Sequence, residues 1–140
     1  MMWKDKYRIN VGLIDQQHEE LFKRVSDFLQ VVQSKEPWEV KVGKVKETMV
    51  FMQDYVESHF ADEEAYQEQI QYPDLENHRR VHSKFKEGIY DYVKIFESEG
   101  YTKELVQEFG AKLMTWLIMH VGKMDQKIGE YVRSKEVQSQ

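Results

Sequence analysis

The sequence predicts an all-α protein: an up-down-up-down antiparallel four-helix bundle preceded by an N-terminal arm. Three observations lead there. Apolar residues recur at three- and four-residue steps, the period of an amphipathic helix, in four long stretches. The breaks between the stretches are short, at Pro37, Pro73 and Gly100. No Asn-Gly or Asp-Gly hairpin signal occurs, and no clean apolar/polar alternation marks a strand. Helices of about 20 to 33 residues joined by loops of a few residues must run antiparallel to their neighbours.

The first helix is expected from about Asp15 to Ser34, with His18, Leu21, Phe22, Val25, Phe28, Leu29 and Val32 facing inward. The second starts near Pro37, a favourable first-turn residue, and runs to about Ile70 through Val45, Met49, Met52, Val56, His59 and Glu63. Asp74 is a candidate N-cap for the third. That helix carries His78, His82, Phe85, Ile89, Tyr92 and Phe96 and stops at Gly100. Thr102 caps the fourth, which is read as one rod through Phe109, Leu113, Trp116, His120, Met124, Ile128 and Tyr131. Residues 1–14 contain Trp3, Tyr7, Ile9, Val11, Leu13 and Ile14, too apolar for a free tail, so this arm is expected to pack on the bundle (15–134). Residues 135–140 read as a frayed, disordered polar end.

The chain has 140 residues, 41% hydrophobic and 32% charged, an ordinary balance for one domain with one core. No apolar run approaches the roughly 20 residues that span a bilayer. No basic-then-apolar leader opens the sequence, so a cytoplasmic location is expected. The net charge is −5, and lysines and arginines are scattered among acids. Nucleic acid and anionic membrane surfaces are therefore poor partners. Cysteine is absent, which excludes disulfides, iron–sulfur clusters and thiol catalysis.

The informative feature is the placing of the five histidines, His18, His59, His78, His82 and His120. All fall on the inward stripes. Any one alone reads as a core histidine bonded to a neighbour. Five in one small core would load it with polar groups that need partners, and a metal answers that need by taking their lone pairs. His78 and His82 are four apart and share a helix face, as do His59 and Glu63. His120 and Asp125 are five apart, roughly 140° around an α-helix, so they need not point the same way. In an antiparallel bundle these positions meet in one layer near one end.

The words around these residues resemble the hemerythrin family in its single-domain bacterial form: I-D-Q-Q-H-E-E-L-F at His18, H-F-A-D-E (His59, Glu63), H-R-R-V-H (His78, His82) and H-V-G-K-M-D (His120, Asp125). The resemblance covers nearly the whole chain. It implies a non-haem di-iron site with an oxo or hydroxo bridge, binding dioxygen reversibly. His78, His82 and His120 would hold one iron, His18 and His59 the other, and Glu63 and Asp125 would bridge them. Counting the bridge, one iron then has six ligands and the other five, leaving a single open position. Five imidazoles against two carboxylates invert the carboxylate-rich set of di-iron bundle enzymes, which favours an oxygen carrier over an enzyme.

Phe60, Trp116 and Leu117 are expected to wall the oxygen pocket, with ordinary core packing as the alternative. Tyr66 and Tyr92 are weaker candidates for nearby donors, and Glu64 reads as a solvated neighbour. Where the family often has a bulky apolar residue, this chain has Gly122, expected to leave a wider or wetter path to the iron. Apolar residues also often follow the acidic pair in the family, whereas Tyr66 and Gln67 stand here. An oxygen-consuming enzyme is a conceivable partner. The other readings are a sensor or a peroxide, nitric oxide or iron-detoxifying enzyme on the same metals, and a metal-free helical interaction module.

Overall fold

A computed structural model of the chain describes residues 3–139, with side chains described as far as Lys135. The helices are α1 (Gly12–Gln33), α2 (Trp38–Gln69), α3 (Leu75–Glu99), α4 (Lys103–Met119) and α5 (Gln126–Ser139). A single π turn, His120–Met124, joins α4 to α5, and a short 3-10 turn, Asp5–Tyr7, lies in the arm. Among the described residues there are no strands, and no helix is long and apolar enough to cross a membrane. Four rods pack against each other, the fourth being α4 and α5 in sequence.

Local chemistry sets most boundaries. Thr102 caps α4 by accepting the Leu105 N–H at 3.2 Å. Gly100 ends α3 with φ of 81°, a left-handed conformation open to glycine, while its N–H bonds Phe96 O. Pro37 sits one residue before α2, its carbonyl accepting from Val40 and Lys41. Asp74 flanks α3 but makes no side-chain cap bond; its carboxylate accepts from the Asn77 side chain instead.

Two expectations are corrected. First, α1 begins at Gly12, three residues before the expected start. Asp15 is not at the start of the helix but inside its first turn, where its buried carboxylate accepts the backbone N–H groups of Ile9 (2.8 Å) and Asn10 (3.0 Å). That bond staples the arm to α1, and Asn10 makes the reversal with φ of 64°. Second, the fourth rod is not a continuous α-helix. The Asp125 N–H bonds His120 O at 2.8 Å, five residues back, so one extra residue is accommodated at the level of the histidines.

The core runs the length of the bundle, with Leu21, Phe22, Val25, Phe28, Val45, Phe60 and Phe109 fully buried. A smaller cluster of Ile9, Ile14, Tyr72 and Ile128 closes the end where the arm, the α2–α3 turn and α5 meet. The polar end expected from 135 falls mostly on side chains outside the described residues; helical backbone is assigned as far as Ser139.

Candidate metal centre

Each rod contributes to one buried cluster at the end of the bundle. α1 supplies His18, α2 His59 and Glu63, α3 His78 and His82, and the π turn with its C-cap His120 and Asp125. None of the seven is more than 3% exposed. The i,i+4 pairs on α2 and α3 need only an α-helix to align them. His120 and Asp125 need the π turn: in an α-helix they would diverge by about 140°, whereas here His120 Nε2 lies 3.2 Å from Asp125 Oδ1.

The two oxygens of each carboxylate face different histidines. Glu63 Oε2 lies 3.1 Å from His18 Nε2 and 3.3 Å from His59 Nε2. Glu63 Oε1 lies 3.4 Å from His82 Nε2 and 3.8 Å from His120 Nε2. Asp125 repeats the division, Oδ2 at 3.1 Å from His18 and Oδ1 toward His120. His82 Nε2 and His120 Nε2 stand 3.1 Å apart. The donors thus form two groups that share Glu63: His18, His59 and Glu63, and Glu63, His78, His82 and His120.

These contacts have the spacing of ligands around a metal. Two donors each about 2.1 Å from one ion and at right angles to each other are about 3 Å apart. Their directions agree with that. Both Asp125 oxygens and His59 Nε2, which face the cluster, are buried with no hydrogen-bond partner, although nitrogens lie just over 3 Å from the Asp125 oxygens. Two carboxylates and five imidazoles buried together also call for compensating positive charge. The residues therefore fit a pair of cations.

Protons fill that role in the metal-free protein. Burial opposes a charge on His18, but the adjacent Asp125 and Glu63 outweigh it and push its pKa up to about 10. Burial also opposes charge on His82, where Glu63 and Glu64 prevail and raise it. At His59 burial prevails and the pKa falls. Burial works against ionised Glu63 too, yet the surrounding imidazoles, His120 and His18 foremost, hold it well below the usual carboxylate range.

Three outer residues orient the rings, and sequence reasoning missed all three in that role. His59 Nδ1–H donates to Gln17 Oε1 (2.7 Å), and the Gln17 amide donates to Asp62 (2.7 Å). His82 Nδ1–H donates to Glu64 Oε2 (2.8 Å), whose other oxygen faces Arg79 Nε at 3.4 Å. Glu64 is thus bonded to a cluster histidine and is more than a solvated neighbour. Gln67 donates to His78 Nδ1 (2.9 Å) and lies 3.5 Å from Glu63 Oε1. The polar Gln67 that breaks the family's apolar pattern therefore has a partner. The detectable signal was spacing: Gln17 adjoins His18, and Glu64 and Gln67 follow His59 by five and eight.

His78 differs from the other rings. Its Nδ1 lies 3.6 Å from Glu63 Oε1 and 3.7 Å from Asp125 Oδ1, and its buried Nε2 has no partner. Around the cluster, Phe60 stacks on His82 (3.8 Å, 3°) and Trp116 on His120 (4.5 Å, 11°). Both rings thus lie against the three-histidine group. Leu117 is buried on the same helix as Trp116. The Tyr92 hydroxyl turns away to Glu108, and Tyr66 packs on the small end cluster.

Gly122 lies against the arm. A Cβ there would lie 3.1 Å from Tyr7 Cε1. Tyr7 of the arm fills the space, stacks on Phe22 (5.1 Å, 12°), and has its carbonyl held by the Gln126 amide at 2.7 Å. An aromatic ring distant in sequence thus occupies the space that a side chain at Gly122 would take.

The hemerythrin HHE cation binding domain matches residues 10–132. Relatives of similar length are named bacteriohemerythrin. One from Stenotrophomonas maltophilia is 31% identical over 96% of this chain and 82% of its own. Another from Clostridium acetobutylicum is 26% identical over 90% and 96%, and one from Campylobacter jejuni 28% over 91% of each. With a matching domain over most of its length and a buried histidine–carboxylate cluster at the expected positions, this chain belongs to the hemerythrin family.

Proposed function

We propose that the cluster holds two iron ions and that the protein binds dioxygen reversibly, as a carrier or store and not as an enzyme. The observation that carries this reading is the unequal sharing of two bridging carboxylates: three histidines stand on one side of Glu63 and Asp125 and two on the other. His78, His82 and His120 would hold one iron and His18 and His59 the other; with a solvent-derived bridge, the two-histidine iron would have one ligand fewer and could admit dioxygen. A closed site is structural, whereas an open one admits a ligand. The iron pair, when bound, supplies the redox electrons that dioxygen requires.

The protein's own groups do the rest. Gln17 and Glu64 accept hydrogen bonds from Nδ1–H of His59 and His82, which leaves each Nε2 lone pair aimed inward. Phe60 and Trp116 exclude water from the His82 and His120 side, and Tyr7 closes the surface over the π turn. Neutral imidazoles outnumber carboxylates five to two, a set that favours ferrous iron over the high-valent states of oxygen-activating enzymes. The bacteriohemerythrin relatives support the same reading.

The test is anaerobic reconstitution with ferrous iron. Two irons per chain are expected, with a near-ultraviolet and visible band that appears in air, disappears when oxygen is removed and returns with it. Catalytic turnover without a stable oxygenated form would replace this reading with an enzymatic one. A sample that takes up no iron would end it.

A further inference from the structure

Outside the cluster, the seam between α3 and α4 is left unexplained by the metal centre. Close backbone contacts join α1 to α2, α2 to α3 and α1 to α4, but α3 and α4 approach much less. A groove of about 630 Å³ follows that seam from Val81 and Met119 to Tyr92 and Glu108. Its floor is the stacked pair Phe85 and Trp116 (3.9 Å, 27°), continued by Ile89. Its middle is open because Gly88 has no side chain there: a Cβ at Gly88 would meet nothing within 4 Å.

The dimensions select the occupant. From Val81 to Tyr92 the helix rises about 16 Å. Spread over that length, 630 Å³ gives a mean cross-section of about 40 Å², about half that of a helix 10 Å across, so the groove itself seats a thinner chain along its length. The size lies within the range of small-molecule sites, and the shape suits one unbranched apolar chain. The rim adds charge. Lys84 has no ion-pair partner among the described residues. Lys112 lies 3.5 Å from Glu108, which also accepts the Tyr92 hydroxyl. Two lysines against one glutamate make a locally positive mouth on a chain of net charge −5.

We propose that the α3–α4 groove binds a free alkyl carboxylate, a fatty acid, with its chain along Phe85, Gly88 and Trp116 and its head group at the lysine rim. Such a chain lies on the indole that stacks on His120, so the site is adjacent to the metal cluster without sharing its residues.

The experiment is calorimetric titration of the full chain with dodecanoate below its micelle concentration, alongside dodecyltrimethylammonium, and is run on metal-free and iron-loaded protein. Saturable one-to-one binding of dodecanoate is expected, at least tenfold tighter than the cation. Gly88→Leu places a side chain in the channel and favours helix, so it folds; it should weaken dodecanoate at least tenfold and leave iron uptake unchanged. Lys84→Glu with Lys112→Glu should erase the preference for the anion. No saturable binding, or equal binding by Gly88→Leu, overturns the proposal. Binding only to anionic phosphatidylglycerol vesicles and not to monomeric dodecanoate also overturns it. So does a concentration-dependent dimer in sedimentation that Gly88→Leu abolishes, which would make a second copy the occupant.

Discussion

Glu64→Ala tests whether the two halves of the cluster are tuned separately. Glu64 accepts a hydrogen bond from His82 Nδ1–H at 2.8 Å, so its removal leaves that ring less basic and without its orienting partner. Loss of such a partner costs about 10- to 100-fold in metal affinity, or about 1.4 to 2.7 kcal/mol. Glu64 is 23% exposed and shares its charge with Arg79, so solvent and the guanidinium already screen it. The expected effect is therefore near the lower limit, about tenfold. On the proposed assignment it should fall on the ion given to His78, His82 and His120. Glu64→Gln keeps a neutral acceptor and should recover part of the loss. Gln17→Ala is the counterpart: it removes the acceptor of His59 Nδ1 and should weaken the ion held by His18 and His59 by a similar factor. The assay is a competitive chelator titration under argon that resolves two binding steps, with circular dichroism confirming the helical fold. If both variants weaken both steps alike, or neither moves either step, the assignment of outer partners to separate ions is wrong.

Two further outcomes follow from the same geometry. Gly122→Leu should destabilise the protein, because its side chain meets the Tyr7 ring at the Cβ. Overpacking costs about 1–3 kcal/mol, offset by up to about 1 kcal/mol of helix propensity; a raised urea midpoint would show that Tyr7 does not fill that space. Metal uptake should release protons. His18 has its pKa raised to about 10 in the metal-free protein, so its contribution to metal-free stability is complete below the ordinary value near 6.5 and is lost as pH rises through about 10. A metal ion must displace that proton, so its apparent affinity should rise with pH across the neutral range. Calorimetry in buffers of different ionisation enthalpy measures the release, and none at pH 7 would contradict the protonated cluster.

Much of the site was legible in the sequence because its geometry is local. His59 and Glu63, like His78 and His82, are brought to one face by helical period alone, and short breaks at Pro37, Pro73 and Gly100 dictate antiparallel rods. The layer where His18 meets them follows from helix lengths. Asp125 is different. Its spacing from His120 fits no α-helical face, and the π turn that aligns the two is flanked by Tyr7 and by the Gln126 amide, contacts that only the tertiary fold supplies.

The outer partners were likewise hidden. Asp62 and Gln17 are 45 residues apart in the chain, and their bond exists only once α1 lies on α2. Tyr7 at Gly122 is a contact between the arm and the π turn in the middle of the fourth rod. The sequence alone determined the period, the charge and the donor set, properties of residue type and short spacing. Tertiary structure decided which lone pairs are left without partners, which ring fills a glycine's space and where the α3–α4 seam stays open. Those depend on how far apart four rods settle when large side chains such as Phe60, Phe85 and Trp116 must pack between them.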